Sequence, residues 1–253
     1  MKYVRFQVEK KIKYGILEGE QIRETQNPFI KGQELVPPNS YSLGDVTLLA
    51  PCEPSKVICV GLNYADHAKE LNLKLPNKPL LFMKPSTTVI GPGAKIIYPQ
   101  DSQRVDYEGE LAVVIKDKIK DIEPNVAEQS IFGFTCANDI TARDLQKLDG
   151  QWTRAKSFDT FLPLGSYIET EADASDLQVT TKLNGKVMQS SSTKQMVFGV
   201  NYLVSYISKI MTLLPGDVII TGTPFGVGQL DHGDEVEVTI EGLGTLINYV
   251  EKP

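Results

Sequence analysis

Asp106, Glu108 and Glu110 stand at every second position of Val105-Asp106-Tyr107-Glu108-Gly109-Glu110-Leu111-Ala112-Val113-Val114-Ile115. Alternate side chains of a strand point to opposite faces, so this spacing sets the three carboxylates on one face. Carboxylates in a row repel each other and make poor core. A divalent cation between them removes the repulsion, because hard cations such as Mg²⁺ take oxygen ligands. An edge strand with a solvated acidic face fits the same spacing. Asp139 follows the apolar run Ile131 to Asn138 and precedes a helical turn predicted near Thr141. Functional groups gather at strand ends, so Asp139 is a candidate third ligand beside Glu108 and Glu110. A helix N-cap is the competing reading, and the sequence does not separate the two.

The chain has two histidines. His67 lies three residues before Glu70 on a short predicted helix, a spacing at which the side chains meet. A carboxylate beside an imidazole raises its basicity and fixes its tautomer, which builds a general base. Spacing alone fits an exposed ion pair at least as well. His232, in Asp231-His232-Gly233-Asp234, reads as a solvated turn residue. Lys156 sits among small and apolar residues in Thr153-Arg154-Ala155-Lys156-Ser157-Phe158-Asp159. Partly desolvated, it could hold a substrate carboxylate or an enolate oxygen; an ordinary surface lysine is the bland alternative. Gly222-Thr223-Pro224-Phe225-Gly226-Val227-Gly228 lacks the ending of a phosphate loop and opens no clear helix. It reads as a tight loop placing Thr223 near a ligand. No GxSxG, HExxH or CxxC motif is present, which removes serine hydrolases, zincins and zinc ribbons.

These groups need a scaffold. Residues 1–50 read as a small β unit of short alternating strands, closed by a linker at Pro37-Pro38-Asn39-Ser40. Residues 51–253 form the main domain. Its predicted strands include Lys56 to Gly61, Leu80 to Met83, Ala94 to Tyr98, Asp217 to Thr221, Glu235 to Ile240 and Leu246 to Val250. Asn184-Gly185 turns a hairpin. Asn63 or Asp66 could cap the helix that carries His67. The clearest helix places Val200, Leu203, Val204, Ile207, Ile210 and Met211 on one stripe. Many strands and few helices in irregular order predict an α+β, mainly β fold.

The 253 residues allow one large domain with an appendage. Hydrophobic residues are 41% and charged residues 23%, a globular balance. The net charge of −6 comes without any basic run, so neither nucleic acid nor a membrane surface is an expected partner. Cys52, Cys59 and Cys136 form no pair pattern and read as reduced thiols. The N-terminus alternates like a strand, so no signal peptide is expected and the expected location is cytoplasmic.

Taken in order, several segments resemble the fumarylacetoacetate hydrolase family. They are Val60-Gly61-Leu62-Asn63-Tyr64-Ala65-Asp66-His67, Phe82-Met83-Lys84-Pro85-Ser86, Tyr107-Glu108-Gly109-Glu110-Leu111, Asp139-Ile140-Thr141-Ala142-Arg143-Asp144-Leu145-Gln146, Ala155-Lys156-Ser157-Phe158 and Thr221-Gly222-Thr223-Pro224. The resemblance points to the family's short bacterial-type members, including acylpyruvases and oxaloacetate decarboxylases. The resemblance implies a mixed β-sheet roll or barrel, usually as a homodimer. It implies Mg²⁺ or Mn²⁺ on Glu108, Glu110 and Asp139, and excludes Asp106 as a ligand. It implies a His67–Glu70 catalytic dyad on a lid helix, with Lys156, Gln146 and Thr223 contacting a small oxo-acid substrate. Arg143 occupies a motif position, although a structural pair with Asp144 is an equal reading. Some relatives carry arginine where this chain has Leu62, which bears on recognition of a distal carboxylate.

The expected chemistry is cleavage of a C–C bond in a 2-oxo or 2,4-dioxo acid through a stabilised pyruvate enolate. Isomerisation or hydration of a 2-hydroxy-2,4-dienoate would use the same site without breaking that bond. A protein that only binds metal and oxo acid is the third reading. Fold alone does not choose among them.

Overall fold

The computed structural model describes residues 1–34, 37 and 39–252. Five strands build the N-terminal unit: β1 (Lys2–Val8), β2 (Lys11–Glu18), β3 (Gln21–Thr25), β4 (Ser40–Ser42) and β5 (Thr47–Leu48). Pro38 of the expected linker lies outside the described residues. Next come β6 (Val57–Gly61), helix α1 (Ala65–Glu70), β7 (Leu80–Lys84), β8 (Val89–Ile90), β9 (Lys95–Ile97), β10 (Val105–Tyr107) and β11 (Gly109–Ile115). A 3₁₀ turn, Pro124–Ser130, leads into β12 (Ile131–Asn138), β13 (Thr141–Ala142), α2 (Arg143–Asp149) and α3 (Thr153–Lys156). The chain then forms β14 (Leu162–Pro163), β15 (Ile168–Glu169), β16 (Gln178–Leu183), β17 (Lys186–Ser192) and α4 (Val200–Ile210). It closes with β18 (Val218–Ile220), β19 (Gly228–Leu230), β20 (Glu235–Ile240) and β21 (Gly244–Glu251). The mainly β, mixed-sheet architecture expected from the sequence is the one observed.

Two sheets carry most of the mass. The larger runs β4-β3-β2-β1-β15-β12-β11-β18-β6-β7, with β5 also on β1, and the smaller runs β17-β16-β20-β21-β9. The N-terminal unit is not a separate sheet, since β1 pairs with β15 of the main domain. Most neighbours are antiparallel, but β18 runs parallel to β6 and β21 parallel to β9. Strand β11 explains the layering. Leu111, Val113 and Ile115 enter one core with Val179, Val238, Ile240 and Leu246 of the second sheet and Leu203, Val204 and Ile207 of α4. Ala112 and Val114 enter another with Val57, Cys59, Val218, Ile220 and Leu162. A strand buried on both faces needs a continuous apolar run, which Leu111 to Ile115 supplies. The three cysteines are free and buried. Among the described residues, no helix is long and apolar enough to cross a membrane.

Three local expectations are corrected. Val105 to Ile115 is not one strand: β10 pairs with β13 and β19 in a small sheet, while β11 belongs to the main sheet. The switch falls on Glu108, whose amide donates to Asn138 Oδ1 at 2.9 Å. Neither is the segment a solvated edge, since Asp106, Glu108 and Glu110 are all buried. Finally, neither Asn63 nor Asp66 caps α1. Its N-cap is Tyr64 with no side-chain bond. Asn63 instead crosslinks the fold, donating to Thr221 O at 2.8 Å and accepting from the Phe198 amide at 2.9 Å.

The parallel pair β6/β18 is locked at its start by Asp217, which is fully buried. Its carboxylate accepts from Ser55 Oγ at 2.6 Å, the Ser55 amide at 3.1 Å and the Leu214 amide at 2.8 Å, and pairs with Lys56. Truncation removes the shared acceptor of these donors, although Ser55, Lys56 and Leu214 keep some access to water. Asp217→Ala is therefore expected to cost about 1–3 kcal/mol, read from the shift of a denaturant midpoint at constant slope. A cost under about 1 kcal/mol would contradict the assignment.

Candidate active site

Strands β6, β12 and β18 run in one direction, opposite to β11. Their C-terminal ends meet the start of β11, and the site forms there. The register Gly109↔Asn138 carries Asp139 to Glu108, where the Asp139 amide donates to Glu108 O at 2.8 Å. Just past β18, the Gly222 amide donates to Glu110 Oε2 at 2.7 Å. Glu108, Glu110 and Asp139 thus offer carboxylate oxygens within 4.8 Å of one another. Gly109 makes the arrangement possible: a Cβ there would lie 2.1 Å from Thr181 Oγ1 on β16. Asp106 stays outside the cluster, paired at 2.9 Å with Arg104 Nε and at 2.9 Å with Arg143 Nε. The alternation that grouped it with the glutamates fails because the chain changes sheet between them.

Cations surround the carboxylates. Lys156, at the end of α3, places Nζ 2.9 Å from Glu108 Oε2 and 2.6 Å from Asp139 Oδ2. It also lies over the Phe82 ring, 5.0 Å from the centroid. Lys84 on β7 pairs with the other Asp139 oxygen and donates to Ile140 O at 2.9 Å. Arg143, the first residue of α2, pairs with the remaining Glu108 oxygen and donates to Gln146 Oε1 at 2.7 Å. Its expected alternative partner, Asp144, is engaged elsewhere, by Ser102 Oγ at 2.7 Å and the Gln103 amide at 2.7 Å. Asp139 caps no helix.

The electrostatics divide the two glutamates. Burial pushes Glu108 up, but Lys156 and Arg143 outweigh it and bring it down to about 2. Burial pushes Glu110 well above the usual carboxylate range, and Asp139 and Glu108 add to the rise. Lys156 is penalised by burial yet raised on balance by Asp139 and Glu108. Lys84 is lowered, since burial exceeds the help of Asp139.

His67 and Glu70 meet as their spacing predicts, Nδ1 to Oε2 at 3.0 Å. Glu70 Oε1 also accepts from the Gly226 amide at 3.1 Å. A cavity of about 230 Å³ is lined by every predicted site residue except Glu70. Its outer wall is apolar, with Leu62, Leu71, Leu80, Phe82 and Trp152. Leu62 holds a left-handed backbone at φ 52°. Thr223 lines the cavity, but its hydroxyl donates to Gly109 O at 2.9 Å and accepts from Gln189 at 2.8 Å, so it also braces the loop. His232 is exposed and remote, accepting from the Lys252 amide at 3.0 Å. A larger surface groove of about 700 Å³ beside the Pro124–Ser130 turn and α4 contains none of these residues; clustered chemistry favours the smaller cavity. Sequence reasoning missed Lys84 and Gln189. Lys84 ended the apolar run Leu80 to Met83 and lay in the family segment Phe82 to Ser86 without being given a role; Gln189 carried no signal.

Residues 56–251 match the family model for the fumarylacetoacetate (FAA) hydrolase C-terminal domain, and residues 1–51 match the Rv2993c-like N-terminal model. A mitochondrial oxaloacetate tautomerase of Rattus norvegicus is 47% identical over 217 residues, covering 81% of this chain and 69% of that protein. The crystal structure of a 5-carboxymethyl-2-hydroxymuconate delta-isomerase from Mycobacterium smegmatis superposes with a TM-score of 0.93 at 43% identity, covering 100% of both chains. A fumarylpyruvate hydrolase from Pseudomonas aeruginosa, solved with Mn²⁺ and pyruvate, has a TM-score of 0.75 at 31% identity, covering 79% of this chain and 91% of that one. With residues 56–251 matched to its C-terminal domain model, this chain belongs to the fumarylacetoacetate hydrolase family.

Proposed function

We propose that this protein is a divalent-cation-dependent enzyme that cleaves a C–C bond in a 2-oxo or 2,4-dioxo acid by way of an enolate. The observation that carries the reading is the single cavity in which the carboxylate cluster, Lys156 and His67 face one another. Its 230 Å³ falls below the roughly 300 Å³ at which pockets for drug-sized ligands begin, which suits a small acid.

The residues fit the cation. Three carboxylates with convergent oxygens are a hard donor set, suited to Mg²⁺ or Mn²⁺ and not to thiolate-seeking metals. Burial first, and then Asp139 and Glu108, raise Glu110, and a cation would offset these penalties on its charged form. When bound, the cation supplies a Lewis acid that draws off charge developing on an oxo-acid substrate. Lys156 adds a buried positive charge at the same point. A carboxylate can only accept, so Glu70 keeps the proton on His67 Nδ1 and leaves Nε2 as the base. Nε2 then removes a proton from water for hydrolysis, or from carbon for enolisation. The apolar wall of Leu62, Leu80 and Phe82 limits bulk water around these groups.

A second reading, proton transfer without C–C cleavage, is supported by the tautomerase at 47% identity and the isomerase at 43%. Both readings share the enolate and differ in product. Assayed with Mg²⁺ or Mn²⁺ on acylpyruvates and oxaloacetate, the protein is expected to release pyruvate, with CO₂ in the decarboxylase case. Enol loss without pyruvate or CO₂ would select the second reading. Glu108→Ala is expected to abolish turnover on every substrate, and His67→Ala to lower kcat by about 10²–10⁴-fold. Undiminished turnover by Glu108→Ala would refute the shared step.

Burial, Asp139 and Glu108 raise Glu110, so its protonated form competes with a cation for the same oxygens. Mg²⁺ affinity is therefore expected to rise with pH, with protons released on binding. Cation-free stability runs the other way. The raised carboxyl contributes stability that is fully present below the ordinary carboxylate range and is lost as pH rises through its folded value. The gain in Tm on adding Mg²⁺ should thus grow with pH, and calorimetry in buffers of different ionisation enthalpy should show proton release. A Tm gain independent of pH would count against this assignment.

A further inference from the structure

Strand β17 passes the site without lining its cavity. Gln189 and Ser191 lie two positions apart on it and share a face. Gln189 is fully buried. Its Oε1 accepts from the Gly109 amide at 2.9 Å, and its Nε2 donates to Thr223 Oγ1 at 2.8 Å and Pro224 O at 2.9 Å. Gly109 is the residue between Glu108 and Glu110, so one carboxamide ties the carboxylate turn to the glycine-rich loop. That loop also holds Glu70, through the Gly226 amide. Ser191 Oγ donates to Asp66 Oδ2 at 2.5 Å. The other Asp66 oxygen accepts from the His67 amide at 2.7 Å. One strand face therefore touches both halves of the site. Helix α1 needs such support: it has six residues and no side-chain N-cap bond. A helix that short is not stable by itself in water, so outside contacts set its place.

We infer that Gln189 and Ser191 are positioning residues, and that β17 is a fixed rail holding the His67–Glu70 pair in register with the carboxylate cluster. The inference rests on the proposed role of His67 as base. Neither residue reaches the cavity; Ser191 acts through Asp66, and Gln189 through Gly109 and the loop. The two contacts have separable consequences. Loss of the Ser191 hydroxyl frees the dyad helix and leaves the carboxylates in place. Loss of the Gln189 carboxamide leaves the buried Gly109 amide without its acceptor and loosens the turn itself.

The test compares Ser191→Ala, Ser191→Thr and Gln189→Leu in the Mg²⁺-loaded enzyme. Ser191→Ala is expected to lower kcat about tenfold or more with KM and Mg²⁺ affinity within about twofold, as misplaced catalytic groups do. Ser191→Thr keeps the hydroxyl and should restore most of the loss. Gln189→Leu should weaken Mg²⁺ binding as well as kcat. Asp66→Ala combined with Ser191→Ala should lose no more than the worse single variant, because both break one contact. Backbone amide exchange gives a readout independent of turnover: Ser191→Ala should speed exchange in residues 65–70 and not in 109–115. Unchanged kcat in Ser191→Ala, or an equal loss in Ser191→Thr, would overturn the inference. If the wild type turns over no oxo acid, the proposed function falls. The exchange pattern then decides the rail alone: selective loosening of α1 supports it, and unchanged or uniform exchange overturns it.

Discussion

Glu108, Glu110 and Asp139 are buried with carboxylate oxygens within 4.8 Å of one another, Asp106 is buried on the other side of Arg143, and like charges in a low-dielectric interior repel strongly. The surrounding structure is organised to make that tolerable. Lys84, Lys156 and Arg143 arrive from three different elements and each grips at least one of these carboxylates. Among the described residues, Glu110 alone of the four has no ion-pair partner, only the Gly222 amide. That leaves one place where positive charge is still called for, and it faces the cavity. The scaffold neutralises three carboxylates and leaves the fourth without a countercharge.

The sheets supply the geometry this balance demands. Strands β6, β12 and β18 run together, so their C-terminal ends deliver Leu62, Asp139 and Gly222 to one rim. The second sheet presses Thr181 and Gln189 against Gly109, which holds the two glutamates at a fixed spacing. The left-handed turn at Gly150, φ 69°, ends α2 and lets α3 fold back with Lys156. The apolar cores on both faces of β11 keep water from screening these interactions.

Much of this was legible from residue types and spacing, for identifiable reasons. A three-residue separation on a helix brings His67 to Glu70 whatever the rest of the chain does. A charge pair at alternate positions ahead of an apolar run singled out Glu108 and Glu110. The motifs in family order pointed to Asp139 and Lys156. What stayed hidden depends on partners far along the chain. Alternation cannot register that Glu108 is a crossing point between sheets, so Asp106 was grouped with the wrong neighbours. Arg143 could not be matched to Asp106 and Glu108, 37 and 35 residues away, while Asp144 stood beside it. Asn63 looked like a helix cap because its true partners, Thr221 and Phe198, are 158 and 135 residues distant. Gln189 was invisible for the same reason.

The continuity of β1 with β15 has a consequence for how the chain can be divided. Although the first fifty residues look like an appendage, they close a sheet edge and cover the Phe132 ring, against which Tyr3 and Phe29 pack at 5.0 Å each. A main domain cut free of them would present an open hydrogen-bonding border and an uncovered aromatic surface to other chains. Such a fragment invites self-association before it reveals any chemistry.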